Sequence, residues 1–328
     1  MTMQHGGDLS EAIARYGGPP GAWLDLSTGI NPVPWPVPTG LLQARLHRLP
    51  SRDDEIALIE AARAAYRVPH GAEIAIAPGT QALIQWLPRL AADGAVAIVG
   101  PTYSEHGLAW SYGGRDVASC DDIDKAPPWV RHAVLVNPNN PDGREVPMDA
   151  IARAAGIMQQ RSGWLVIDEA FADVAPDLSA TALCVDLPIV ILRSFGKFYG
   201  LPGLRLGFAI AAPTIIRSIR NALGPWAVSS SALSVGAAAL RDEPWAIATR
   251  AALQRKAAGL DAVLQSAGCD IVGGTPLFRL VRHGGAGGLH EALARQQIWC
   301  RKFDWADDLL RFGLPTEDEV DRLRKALA

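Results

Sequence analysis

Cysteine is scarce. Cys120, Cys184, Cys269 and Cys300 are the only four in 328 residues, they stand far apart, and no C-x-x-C pair occurs. That spacing argues against a zinc site or a disulfide scaffold and suits a reducing cytosol. Excess charge is also lacking. A net charge of -3 gives no electrostatic case for nucleic acid or an anionic membrane. No apolar run reaches the roughly 18 residues expected of a spanning helix. The opening Met1-Thr2-Met3-Gln4-His5-Gly6-Gly7-Asp8 has no basic region leading into an apolar one, so no signal peptide is read there. A dinucleotide fingerprint is missing too. Gly284-Gly285-Ala286-Gly287-Gly288 is followed by Leu289 and His290 where a third glycine would be needed, and the run reads as a flexible loop. No internal repeat is visible.

What remains is an ordinary globular chain, 49% hydrophobic and 20% charged. Its length predicts two domains, since single cores stop growing near roughly 250–300 residues. A short helix is expected from Leu9 to Tyr16. Pro32, Pro34, Pro36 and Pro38 alternate at a spacing of two, which is an extended connector and not a P-x-x-P ligand. Ile56, Ile59 and Ala62 lie at helical spacing, and a helix is expected over Thr80–Ala92 with Pro88 disturbing its last turn. Short apolar runs at Glu73–Ala77, Ala95–Val99, Ala133–Val136, Trp164–Ile167, Ile189–Leu192 and Leu206–Ile210 read as strands, with helices between several of them. Continuous apolar strands of this kind signal an α/β fold with a mostly parallel sheet covered on both faces. Residues 229–267 are Ala-rich and helical with a break near Pro244. Strands at Leu277–Val281 and Trp299–Phe303 follow, then a helix opened by the capping box Thr316 and Glu319.

In open parallel sheets ligands bind at the carboxyl ends of strands, and four motifs fall there. Pro78-Gly79-Thr80-Gln81 is either a plain strand-to-helix turn or a phosphate site at a helix N-terminus. Asn137-Pro138-Asn139-Asn140-Pro141-Asp142-Gly143 has the proline and glycine of a turn, but a turn does not explain three asparagines. Asn140 is suited to donate to a phenolate oxygen. Val166-Ile167-Asp168-Glu169-Ala170-Phe171 puts a carboxylate at the end of an apolar strand, where it needs a cation or hydrogen bonds. It is an N-cap, an ion pair to an arginine, or a partner for a protonated pyridine nitrogen. Leu192-Arg193-Ser194-Phe195-Gly196-Lys197 runs on to Arg205. It is a surface loop with a solvated lysine, or a Schiff-base lysine beside a phosphate cradle.

Taken in order, these motifs resemble the fold-type I aminotransferase family, which uses pyridoxal 5′-phosphate, and the resemblance covers nearly the whole chain. It implies a large domain with the central sheet over residues 46–222, a smaller α+β domain over 223–328, and an N-terminal segment, 1–45, joining the small domain and active site. It implies Lys197 as the Schiff-base lysine and Asp168 as partner of the pyridine nitrogen. Asn140 would bond the phenolic oxygen, and Gly79, Thr80, Gln81, Ser194 and Arg205 would hold the phosphate. Tyr103 would stack on the ring, Arg311 would take the substrate carboxylate, and the protein would be a homodimer. Nothing points to a metal.

Two branches of that family are close: histidinol-phosphate aminotransferases and the threonine-phosphate decarboxylases of cobalamin synthesis. His5-Gly6-Gly7-Asp8 resembles the H-G-G opening of the decarboxylases, in which the histidine helps bind the substrate phosphate. Phe171, where many aminotransferases carry tyrosine, agrees. That branch implies Arg301 as a second phosphate ligand, with Lys302 a further candidate beside it, and His5, Gly6, Gly29, Asn140, Arg301 and Arg311 as the substrate set. Two departures stand out. Leu49-Pro50-Ser51 replaces the family's Y-P-D, whose tyrosine reaches the neighbouring subunit's cofactor phosphate. Gly29 stands where relatives have asparagine. The alternatives are transamination of histidinol phosphate and a non-catalytic member that binds a phosphorylated ligand.

Overall fold

The structure is a computed structural model that describes residues 6–43 and 47–328. His5 and the 45/46 boundary lie outside the described residues. The strands among the described residues are, in order, β1 (Leu24–Leu26), β2 (Glu73–Ala77), β3 (Val96–Val99), β4 (Val117–Cys120), β5 (His132–Val136), β6 (Leu165–Asp168), β7 (Ile189–Ser194), β8 (Gly207–Ala211), β9 (Asp270–Thr275), β10 (Phe278–Arg282), β11 (Ile298–Phe303) and β12 (Ala306–Gly313).

Two compact units form. The larger holds Trp35–Asn140 and Arg144–Ala246. The smaller holds the residues up to Pro34, Pro141–Gly143 and Ile247–Ala328. The division falls after Ala246 and not at the expected 222/223, because residues 223–246 pack with the larger unit. The helix Ser230–Arg241 packs on the helix Arg52–Ala65. A Cβ on Gly236 would stand 2.5 Å from the Leu206 methyl and 3.0 Å from the Leu58 methyl, so those side chains pack against the bare backbone there. Trp245, in the first turn of the helix Glu243–Ser266, stacks on Tyr199 at 5.6 Å.

In the larger unit seven strands run in the order β2-β8-β7-β6-β5-β3-β4. Only β8 is antiparallel to its neighbours. Side chains alternate between faces along a strand. Ala75, Val134, Val166, Val190, Leu192 and Ala209 therefore share one face, covered by the helices Thr80–Leu90 and Pro213–Leu223. These central strands are buried on both faces, which is why they read as unbroken apolar runs.

In the smaller unit five strands run in the order β1-β11-β12-β10-β9. The glycine run expected as a loop is different here. Only its first two residues precede a helix, Ala286–Arg295. Ala286, His290, Leu293 and Ala294 form a buried stripe, so packing of that face outweighs the helix-breaking cost of Gly287 and Gly288. The capping box at Thr316 and Glu319 forms as read. Ser51, the departure from Y-P-D, caps the helix Arg52–Ala65 in a second capping box with Asp54, and Leu49 beside it is exposed.

Candidate active site

Register brings together in the larger unit the residues that the sequence suggests for a phosphate. Ser194 at the end of β7 pairs with Gly207 at the start of β8, and Gly207 pairs with Ala77 at the end of β2. The chain leaving Ala77 turns through Gly79, at φ +82°, into the helix Thr80–Leu90. Its N-cap is Gly79, which has no side chain to cap the helix, so among the described residues its first N–H groups are left to a ligand. Arg205 adopts a left-handed backbone, φ +53°, which costs a non-glycine residue about 1–3 kcal/mol. That turn carries its guanidinium across Gly79, where a Cβ would come within 2.7 Å of Nη2. An arginine fork, a helix N-terminus and Ser194 thus cluster at one sheet edge, as a phosphate needs.

Asp168 ends β6 between Val136 of β5 and Leu192 of β7. By alternation it shares the face of Val166, while Glu169 turns the other way. The Asp168 carboxylate is buried, accepts the Ala170 N–H at 3.0 Å, and stands 2.9 Å from His106 Nε2. His106 was not singled out from the sequence. Its only local signal is its place three residues after Tyr103, one helical turn on. Lys197 is half-buried, with Nζ 5.8 Å from the centre of the Phe171 ring.

Tyr103 meets the His106 ring edge-on at 6.1 Å, and its hydroxyl donates to Gln81 Oε1 at 3.2 Å. Burial, then the charges of Glu105 and Asp168, push its phenol up to about 12, so it stays protonated at neutral pH. The asparagines divide. Asn137 is buried and bonds the Val146 backbone both ways, at 3.0 and 3.4 Å. Asn139 is buried and ties Thr102 Oγ1, at 2.7 Å, and the Pro101 carbonyl, at 3.0 Å, to the turn. Both are structural. Asn140 is half-buried at the end of that turn.

The dipeptides around Asp168 and Ser194 also divide. Glu169 and Arg193 lie on the opposite face, where Arg193 Nη1 donates to Glu169 at 2.9 Å and Nη2 to Asp173 at 2.7 Å. Ser179 Oγ and the Ala180 N–H complete the hydrogen bonding of Glu169. This buried network braces the strand ends from behind.

In the smaller unit Arg301 of β11 and Arg311 of β12 are direct cross-strand partners. Arg311 is buried, lies 5.3 Å from the Phe278 ring centre, and donates to the Ser27 carbonyl at 2.6 Å. Burial, then the charge of Arg301, push its pKa down to about 10. The Gly6-Gly7 segment closes onto the same turn. Gly7 N–H donates to Ser27 Oγ at 2.9 Å, and a Cβ on Gly6 would meet the Ser27 carbonyl at 2.4 Å. Gly29 is buried two residues further on, and Lys302 is exposed.

The family profile "Aminotransferase class I and II" matches residues 43–327. The chain belongs to the class I and II aminotransferases. A threonine-phosphate decarboxylase from Sinorhizobium sp is 43% identical over 327 residues, covering 99% of this chain and 97% of that protein. One from Pseudomonas aeruginosa is 40% identical over 321 residues, covering 96% and 94%. In solved structures the fold is shared with the histidinol-phosphate aminotransferase of Clostridium acetobutylicum. The TM-score is 0.83 at 20% identity, with 93% of this chain and 98% of that one covered. Pyridoxal 5′-phosphate is the cofactor of class I and II aminotransferases. The residues present fit it: an anion cradle that a Cβ at Gly79 would fill, a buried carboxylate, and a lysine, all at the carboxyl edge of one sheet.

Proposed function

We propose that the protein decarboxylates L-threonine O-3-phosphate, releasing carbon dioxide and 1-amino-2-propanol O-2-phosphate, in the aminopropanol arm of cobalamin synthesis. The observation that carries this reading is the likeness to two threonine-phosphate decarboxylases over nearly the whole chain, and the cross-strand pair Arg301 and Arg311 agrees with it. Two guanidiniums directly opposite on one sheet face repel each other. A substrate with both a carboxylate and a phosphate relieves that repulsion at both. The dicarboxylate 2-oxoglutarate of a transamination would relieve it as well, so the pair fits a substrate with two anionic groups without choosing between the two reactions.

In this reading Gly79, Thr80, Gln81, Ser194 and Arg205 hold the cofactor phosphate, with Gln81 contributing through its backbone. Tyr103 packs against the ring face and Asn140 donates to the phenolic oxygen. Asp168, held by His106, keeps a negative charge against the pyridine nitrogen. Bound pyridoxal phosphate supplies the electron sink for the pair released from the Cα–carboxylate bond. Arg311 takes the carboxylate, and Arg301, His5 and Gly6 take the substrate phosphate, while Lys302, the next residue along β11, points to the opposite face of the sheet. Holding both ends sets which bond at Cα breaks. Gly29 leaves room where relatives carry an asparagine. Lys197 Nζ returns a proton to Cα in place of the departing carbon dioxide. A homodimer in the cytoplasm belongs to the same proposal; the four unpaired cysteines suit a reducing compartment.

The test is carbon dioxide release from L-threonine O-3-phosphate by the cofactor-loaded protein. A parallel reaction holds histidinol phosphate and 2-oxoglutarate. Gas without glutamate is the expected result, and Lys197→Ala should abolish it together with the visible absorbance. Glutamate without gas would overturn the proposal.

A further inference from the structure

The first turn of the helix Glu105–Tyr112 carries two consecutive side chains that reach different elements, one the end of β6 and the other the first turn of the helix Thr80–Leu90. His106 goes to Asp168. Glu105 goes to Gln81, whose Nε2 donates to Glu105 Oε2 at 2.8 Å. The other end of the same amide, Oε1, accepts from the Tyr103 hydroxyl at 3.2 Å. The chemistry of the groups orients this chain. An ionised carboxylate only accepts, so the amide nitrogen must face Glu105. The amide oxygen must then face Tyr103, and the phenol must be the donor.

We infer that Glu105 is a positioning residue: through Gln81 it fixes the tilt of the Tyr103 ring and the direction of its hydroxyl proton. This rests on the reading of Tyr103 as the ring that packs on pyridoxal phosphate. Glu105 touches neither substrate nor cofactor in that reading. It acts by removing rotational freedom from the ring before the cofactor arrives, so that less ordering is needed on binding. The Gln81 side chain is thereby engaged away from the phosphate, leaving its backbone N–H as the group that serves the helix N-terminus.

Two measurements test the inference. The first uses the cofactor-free protein. Tyr103 titration is followed by ultraviolet difference absorbance against Tyr103→Phe, with and without Glu105→Gln. In the wild type the phenol should titrate near 12, and Glu105→Gln should lower that value. An unchanged titration would overturn the coupling. The second is a double-mutant cycle on pyridoxal phosphate affinity. Glu105→Ala should weaken binding about fivefold, the worth of one hydrogen bond. Glu105→Asp should restore part of that affinity. In the Tyr103→Phe background Glu105→Ala should have no further effect. An equal loss in both backgrounds means that Glu105 serves only the local fold, which overturns the inference. If the wild type takes up no pyridoxal phosphate, the cofactor reading fails, and the Tyr103 titration still decides whether the charge of Glu105 is felt at the phenol.

Discussion

His106 Nε2 and Asp168 Oδ2 stand 2.9 Å apart, both side chains are buried, and 62 residues of sequence separate them. A buried carboxylate needs such a partner, because leaving it unmatched costs far more than a neutral group would. The first prediction follows from this pair. His106→Phe should destabilise the fold by about 1–3 kcal/mol in urea unfolding, through the lost hydrogen bond to Asp168. Asp168→Asn keeps the shape but removes the charge. Carbon dioxide release should then fall by about 10²–10³, as when one preorganised electrostatic group is lost.

Gly79 is a place where only glycine fits. Its φ of +82° disfavours any side chain, and an added Cβ would lie 2.7 Å from Arg205 Nη2. Gly79→Ala should cost about 1–3 kcal/mol of stability through backbone strain. It should also push the guanidinium out of the cradle. Titration calorimetry with pyridoxal 5′-phosphate should show weaker binding, whereas Gly287→Ala, at an open glycine in the smaller unit, should leave it unchanged.

Arg193 holds two carboxylates in the interior, Glu169 at 2.9 Å and Asp173 at 2.7 Å. Removing it leaves both without their cation. Arg193→Met should therefore destabilise by about 3–5 kcal/mol. Adding Glu169→Gln and Asp173→Asn should recover much of the loss, because neutral amides are cheaper to bury. Urea midpoints of the single and triple variants check this. A single variant as stable as the wild type would show that the network contributes nothing.

His290 is buried against Trp299, ring centres 4.4 Å apart, and its Nε2 has no hydrogen-bond partner among the described residues. Burial, then the charge of Lys302, push its pKa down to about 4. Its folded value thus lies below the unfolded value of about 6.5. Between those values the unfolded state binds more protons, so stability falls as pH drops from about 6.5 to 4. The loss should reach about 3 kcal/mol below pH 4. In His290→Leu the acid dependence of the urea midpoint over that window should flatten. If the two slopes match, His290 is not the titrating group.

The central strands β2, β3, β5, β6, β7 and β8, the mostly parallel sheet and the placing of motifs after strands were legible in the sequence because apolar runs and turn residues act over a few positions. The strands β1, β4, β9 and β12, which lack a continuous apolar run, were not. An apolar run announces a buried strand, and Thr316 with Glu319 announces a helix start, whatever the rest of the chain does. What the tertiary structure alone decided are pairings set by register across a whole sheet. Register placed Gly207 between Ser194 and Ala77, and so brought Arg205 over Gly79. It also set Arg301 opposite Arg311. Alternation along β6 and β7 sent Glu169 and Arg193 to the far face, and packing drew Asn137 and Asn139 into structural roles and Gly287 and Gly288 into a helix. Side-chain type and spacing carry the local chemistry. Which charge meets which depends on long-range contacts, whose free energy is gained only when the whole sheet closes.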